Sequence, residues 1–181
     1  NALGTQNFTS ATDNYNVGVG YDAGGAITTG IKNTSIGART MQATTVGQEN
    51  VALGYQALFT NVDGSKSVAI GANSLLSQEP ASAVDMYNTA VGYNSGYSIS
   101  TGTLNTIVGG LAGDALTTGT SNTVLGYGAL STEDTGSRAV AIGYKALLSQ
   151  NYDGSSYNIG IGYEAGQAIT TGIQNTILGG L

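Results

Sequence analysis

The chain has 181 residues, of which 29 are glycine, one is proline and only 9% are charged. It contains no histidine and no cysteine, which excludes thiolate catalysis, disulfide frameworks, zinc fingers and a serine–histidine catalytic apparatus. The net charge of −6, with five lysines and arginines in total, argues against nucleic acid and anionic membrane surfaces as partners.

A glycine that follows an aliphatic residue recurs along the whole chain, in most cases every 17 residues. This interval predicts a single repeat array over residues 1–181, with about ten coils and the character of a fragment cut from a longer fibre. We refer to these residues as anchor glycines; the sequence pattern places them at Gly4, Gly20, Gly37, Gly54, Gly71, Gly92, Gly109, Gly126, Gly143, Gly162 and Gly179.

The three residues before each anchor have the pattern of a short β-strand. The last of them is aliphatic and the first is β-branched, so their side chains share one face of the strand. The pattern predicts an all-β fold, a parallel β-solenoid or β-roll of 17-residue coils. We expect the aliphatic column to form the structural core: Val19, Ile36, Leu53, Ile70, Val91, Val108, Leu125, Ile142, Ile161 and Leu178. The small residues between, such as Ala52 and Gly18, are expected to form a seam that other chains cover.

Two further columns have polar or glycine residues at fixed places. Asparagine stands four residues before the anchor in eight coils, as in Asn105 and Asn122. Stacked asparagines can form an amide ladder between coils or bond their own turns, and both roles are structural. A second glycine ten residues after the anchor, as in Gly30 and Gly119, predicts a left-handed turn.

One bulky apolar residue per coil follows the anchor at one of two places. Where the fourth residue after the anchor is glycine, as in Gly24, the seventh is Ile or Leu, as in Ile27. Where the fourth is large, as in Leu58, the seventh is smaller or polar, as in Asn61. Because close packing needs one such group per coil, both places are predicted to point into one narrow core.

Two coils are longer than the others and divide the chain into four-coil units. The coils ending at Gly92 and Gly162 contain insertions at residues 78–86 and 150–156. Loops on a rigid scaffold can vary freely, so these insertions are candidates for specific contacts with a receptor.

The runs Ser67-Val68-Ala69-Ile70-Gly71 and Ala139-Val140-Ala141-Ile142-Gly143 resemble the head repeats of trimeric autotransporter adhesins. The fuller pattern Asn-Thr-x-Ile-Gly-Tyr-x-Ala-Leu, seen at Asn122 to Leu130 with Leu125 at the Ile place, is similar to repeats of phage tail-fibre and related surface-fibre proteins. The resemblance covers essentially the whole chain. It implies a left-handed β-roll assembled as a homotrimer, extracellular, on a virion tail fibre or a bacterial surface.

Catalytic, cofactor-binding and metal-binding residues are not predicted. The one adjacent acidic pair, Glu133-Asp134, lies in an expected turn and is predicted to be solvated. Tyrosine follows the anchor six times, which indicates a structural stack along one edge or a surface for receptor or glycan contact. The candidate contact residues are Tyr21, Tyr55, Tyr93, Tyr127, Tyr144 and Tyr163, with Tyr87 and Tyr152 at the insertions.

These observations favour a structural and attachment segment of a trimeric extracellular fibre rather than an enzyme. Its expected partners are further copies of itself and a host-surface receptor or glycan, with no nucleic acid and no membrane insertion, since no apolar run approaches the roughly 20 residues of a membrane span. The alternatives are a fibre-borne polysaccharide-degrading enzyme, which would use paired carboxylates, and an ice-binding solenoid with a threonine column.

Overall fold

The computed structural model describes residues 1–8 and 13–180. Within them, ten strands of three residues form one parallel sheet in chain order, and no residue is helical. The strands are β1 Val17–Val19, β2 Thr34–Ile36, β3 Val51–Leu53, β4 Val68–Ile70, β5 Thr89–Val91, β6 Thr106–Val108, β7 Thr123–Leu125, β8 Val140–Ile142, β9 Ile159–Ile161 and β10 Thr176–Leu178.

Neighbouring coils are in register over their whole circumference. Within the sheet, Val51 pairs with Val68 and Leu53 pairs with Ile70, and every other pair of neighbouring strands repeats this alignment. Outside the sheet, the Met41 N–H donates to the Ala57 carbonyl at 3.0 Å, so hydrogen bonds between coils continue through the turns. The predicted all-β parallel solenoid of about ten coils is therefore confirmed.

The predicted core column faces the wrong way in the single chain. The first and third residues of each strand do share a face, but that face points outward, with Val19 56% exposed, Leu53 44% and Leu125 46%. Ile161 and Leu178 are also exposed, and the other members of the column are half-buried. The assignment of Val19, Ile36, Leu53, Ile70, Val91, Val108, Leu125, Ile142, Ile161 and Leu178 as the interior is wrong for this chain by itself.

The interior is instead built on the middle residue of each strand. Ala52, Ala69, Ala90, Ile107 and Val124 are buried there, so the small residues line the inside and do not form an exposed seam. Such residues fit because a 17-residue coil encloses little space and its two walls lie close together. We call these middle residues the inner column.

Bulk in this narrow core comes from the two alternative places that the sequence indicates. Leu58 and Ile27 are both completely buried, the first four and the second seven residues after an anchor. A Cβ on Gly24 would lie 2.9 Å from Cδ1 of Ile27, and one on Gly96 would lie 3.0 Å from Cδ1 of Ile99. The two places therefore fill the same volume, as predicted.

The asparagine column forms a continuous hydrogen-bond ladder within each four-coil unit. The Asn122 N–H donates to Oδ1 of Asn105 at 3.0 Å, and the Asn122 side-chain amide donates to the same oxygen at 3.2 Å. That amide also donates to the Gly136 carbonyl at 3.0 Å. The predicted ladder between coils is therefore confirmed, whereas the second bond of Asn122 goes to the turn of the next coil, at Gly136, and not to the turn of its own coil.

The change Asn105→Ala should destabilise the array, because two buried groups lose their partners. The Asn122 N–H and the Gly119 carbonyl both bond to the Asn105 side chain. At about 1–3 kcal/mol for each unpaired group, we expect the free energy of unfolding to fall by at least about 2 kcal/mol. Urea denaturation would measure it, with the exposed Thr118→Ala as control. Equal midpoints for the two variants would contradict this role of the ladder.

The second glycine column does not adopt the left-handed turn that the sequence analysis predicts, except at Gly154, where φ is +141°. At Gly30, Gly47, Gly102 and Gly119 glycine is instead required because the backbone of the neighbouring coil passes too close for a side chain. A Cβ on Gly119 would lie 2.2 Å from the carbonyl oxygen of Gly136, and one on Gly30 would lie 2.4 Å from that of Gly47. Left-handed conformations occur elsewhere in each coil, at residues such as Lys32 and Asn94.

The first anchor assigned from the sequence is also wrong. The Leu3 N–H donates to the Ala23 carbonyl, just as the Gly24 N–H donates to the Thr40 carbonyl one coil later. Leu3 therefore occupies the same coil position as Gly24, 21 residues away, and Gly4 is not an anchor. The first coil is a long one, like the coils that end at Gly92 and Gly162.

Candidate assembly face

The most unusual surface of the molecule is a flat apolar sheet face. We call the first and third residues of the ten strands the outer face; β-branched and aliphatic side chains dominate it. At about 4.8 Å per strand, it is roughly 50 Å long. Contiguous apolar patches of more than a few hundred Å² are uncommon on single proteins, so a face of this length is a candidate interaction surface.

The residues directly after the anchors border the outer face on one side. We call them the tyrosine edge: Tyr21, Ala38, Tyr55, Ala72, Tyr93, Gly110, Tyr127, Tyr144, Tyr163 and Gly180. All six tyrosines are exposed, with Tyr21 at 75%. Tyr127, Tyr144 and Tyr163 stack with ring centroids 5.8 and 5.3 Å apart, so the predicted structural stack exists for these three. The negative charge of Glu164 raises the pKa of the Tyr163 hydroxyl.

The opposite border consists of the residues five before each anchor. We call it the leading edge: Tyr15, Lys32, Glu49, Lys66, Tyr87, Leu104, Ser121, Arg138, Tyr157 and Gln174. Lys66 Nζ lies 2.6 Å from Oδ2 of Asp85 and 5.3 Å from the centroid of the Tyr87 ring. The hydrogen bond between Lys66 and Asp85 lowers the pKa of Asp85 and raises that of Lys66. Arg138 covers the Tyr157 ring in the same way, at 5.7 Å.

Exposed apolar side chains concentrate in one belt made of the outer face and its two edges. Among the large ones in the described part of the chain, all lie in this belt except Val46, Val84, Tyr97 and Ile173. The strand residues of the belt and the six tyrosines of its tyrosine edge are recognisable in the sequence pattern. Tyr15, Leu104 and Tyr157 of the leading edge were not predicted as part of any surface. Their common spacing from the anchor is the signal that would have identified them.

The insertions are fastened to the core by buried polar side chains. Gln78 donates to Oδ1 of Asn61 at 3.1 Å and accepts from Asn88 at 3.0 Å, bridging the interruption of the asparagine ladder at Ser67. Gln150 bridges the second interruption of the ladder, at Ala139, and its side-chain oxygen accepts a hydrogen bond from the Asn158 amide at 2.8 Å. Residues 81–85 are left exposed beyond this attachment. The two insertions therefore present short loops on a fixed base.

The adjacent acidic pair does not form a solvated turn as predicted. Glu133 is completely buried, and its carboxylate accepts hydrogen bonds from the Gly136 N–H at 2.8 Å and from the Gln150 amide at 3.0 Å. The Tyr152 N–H donates to it as well, at 3.2 Å. Glu133 thus holds the second insertion in place, and it does not face Asp134 across a cleft. Tyr152, a predicted contact residue, is half-buried on that insertion, away from the tyrosine edge.

The geometry is that of a long, periodic, apolar surface bordered by aromatic edges. Comparisons with family models, curated proteins and solved structures find no match. In residues 1–8 and 13–180, no helix is long and apolar enough to cross a membrane, and no three acidic side chains gather as metal ligands would.

Proposed function

We propose that this chain is a structural and attachment segment of a trimeric extracellular fibre, on a phage tail or a bacterial surface. The observation that supports it best is the apolar belt along the whole length of the solenoid. Covering this belt would remove the aliphatic side chains of all ten strands from water, at about 25 cal/mol for each Å² of apolar area. The proposed role is structural and does not require a catalytic site.

The period of the belt favours further copies of the same chain as its partners. The outer face repeats once per coil, and every strand is in register with the next. A second surface matches such a face along its full length only if it has the same repeat distance, which another copy of the chain provides. Closed cyclic symmetry would then cover the face of every chain. Three chains with their outer faces turned towards a common axis form such an assembly.

The attachment part of the proposal concerns receptor or glycan contact. The exposed loop at residues 81–85 and the half-buried Tyr152 project from coils that are otherwise uniform. Their fixed attachment to Gln78, Glu133 and Gln150 means that little conformational entropy is lost when a ligand binds. Tyrosines that the assembly leaves uncovered would offer rigid apolar planes with polar tips, which suit sugar rings.

Ice binding is a second candidate, because its predicted threonine column lies on the accessible outer face. Thr106 and Thr123 are adjacent in β6 and β7 and both are exposed. The column is interrupted by Val51 and Val140, which favours packing against protein instead. Measurement of thermal hysteresis in dilute solution separates the two functions, and the fibre proposal expects none. Release of reducing ends from host polysaccharide would instead indicate the glycosidase alternative.

Analytical ultracentrifugation tests the fibre proposal directly. The parent chain of 18.1 kDa should sediment as a trimer, while Leu125→Asp should sediment as a monomer that retains the circular dichroism of β-structure. The reason is that three aspartates would meet near the axis on a surface from which water is excluded. Thr118→Asp, which adds the same charge at an exposed site away from the belt, is the control and should remain trimeric. A parent chain that is a stable folded monomer would overturn the proposal.

A further inference from the structure

The two edges of the outer face present side chains that stay largely exposed in the single chain, although Lys66 and Arg138 lie over the Tyr87 and Tyr157 rings. On the leading edge, Tyr15, Tyr87, Leu104 and Tyr157 are each more than half exposed. On the tyrosine edge, all six aromatic rings are exposed. Both edges run the full length of the sheet, so each coil offers one residue from each edge at the same level.

The leading edge has a large side chain at every level except that of Ser121. Wherever the tyrosine edge has only alanine or glycine, the leading edge of that coil has a long side chain. Ser121, the smallest residue on the leading edge, stands at the level of a tyrosine. The four levels with a small residue pair Lys32 with Ala38, Lys66 with Ala72, Leu104 with Gly110 and Gln174 with Gly180.

Four of the six remaining levels pair two aromatic rings or a cation with a ring; the other two pair Glu49 with Tyr55 and Ser121 with Tyr127. The three long coils have tyrosine on both edges, pairing Tyr15 with Tyr21, Tyr87 with Tyr93 and Tyr157 with Tyr163. Aromatic pairs of this kind contribute beyond the area that they bury. Arg138 and Tyr144 share another level, where a cation–π contact between chains would add to those that Arg138 makes with Tyr157 and Lys145 makes with Tyr144 in the single chain.

We propose that the leading edge of one chain packs, level by level, against the tyrosine edge of the next copy around the ring. This proposal rests on the trimeric fibre and specifies its contacts. When chains run parallel with their outer faces towards a common axis, opposite edges of neighbouring faces meet. Long residues then fill the gaps above alanine and glycine, while the three levels with tyrosine on both edges close with ring–ring contacts. An antiparallel pair would instead bring like edges together.

This pairing also assigns a role to the tyrosine edge. Its rings contact another copy of the chain and are not free for a glycan. The surfaces left for receptor contact are then the insertions, with residues 81–85 and Tyr152.

Cysteine crosslinking tests the pairing cleanly, because the chain has no cysteine of its own. The double variant Lys32→Cys/Ala38→Cys should form a covalent trimer on mild oxidation, or with a short bismaleimide if the thiols lie too far apart for a disulfide. Leu104→Cys/Gly110→Cys should do the same at a second level, since a Cβ on Gly110 meets nothing closer than 3.6 Å. Each single variant should remain uncrosslinked, because the pairing joins two different residues.

The mismatched pair Lys32→Cys/Gly110→Cys, four coils apart in level, is the register control and should not crosslink. If the chains sediment as trimers but neither matched pair crosslinks with either reagent, the edge pairing is wrong and the trimeric fibre stands. Dimers from single variants would show that like edges meet, which also overturns the pairing. If the double variants give covalent dimers as their final product, the chains assemble as parallel dimers and the proposed trimer is wrong. A monomeric parent overturns both proposals.

Discussion

Ile107→Asp is expected to abolish cooperative folding of the array. Ile107 is the middle residue of β6, completely buried in the hydrophobic core and packed near Gly96 and Gly113. Burying an unpaired carboxylate there should cost several kcal/mol. Because each coil contacts only its neighbours, the damage would separate β1–β5 from β7–β10. Circular dichroism during thermal unfolding should show a large loss of β-signal and of cooperativity.

The matched control for this prediction is Leu125→Asp on the neighbouring strand β7. Leu125 belongs to the outer face and is 46% exposed in the single chain, so its carboxylate remains hydrated when the chain is monomeric. We expect this variant to lose assembly and to keep its β-structure. If Leu125→Asp unfolds the chain while Ile107→Asp melts like the parent, then the inward and outward faces have been assigned the wrong way round.

Gly71→Val should be comparably damaging, for two independent reasons. The φ angle of Gly71 is +128°, outside the conformations that side chains with a Cβ readily adopt. A Cβ at this position would also lie 2.4 Å from the carbonyl oxygen of Gly92, the anchor of the next coil. The coils on both sides of Gly71 are hydrogen-bonded in register, so the backbone cannot shift locally to make room. We therefore expect the variant to lose stable folding, which denaturant titration would measure.

Gly128→Asn provides the contrast for this prediction, since it is another glycine with positive φ. Its φ is +61°, a value that asparagine adopts readily, and Asn94 occupies the same coil position with φ +54°. A Cβ on Gly128 would meet only Cγ of Lys145, at 3.6 Å. The change should alter the free energy of unfolding by less than about 1 kcal/mol. Equal destabilisation by Gly71→Val and Gly128→Asn would mean that close approach between coils is not what requires the anchors.

Much of the fold can be predicted from the sequence because the chain repeats. Each column is sampled about ten times, so an accidental residue in one coil, such as Ser67 in the asparagine column, does not hide the pattern. Strand position, parallel register, the asparagine ladder and the shared volume of Ile27 and Leu58 all follow from columns read in this way. The polar anchoring of the insertions at Gln78 and Glu133 does not, because it occurs once per unit and joins residues on different coils.

The sequence by itself determined which residues of each strand share a face, but only the tertiary structure decided which face lies inside. Alternation along a strand has a period of two and is the same whichever face points inward. The folded coil resolves it: the middle residue of the strand faces inward, small in most coils, as at Ala69, but Ile107 and Val124 in β6 and β7. The aliphatic residues beside it, such as Ile70, therefore face outward, on the surface where we propose that further copies pack.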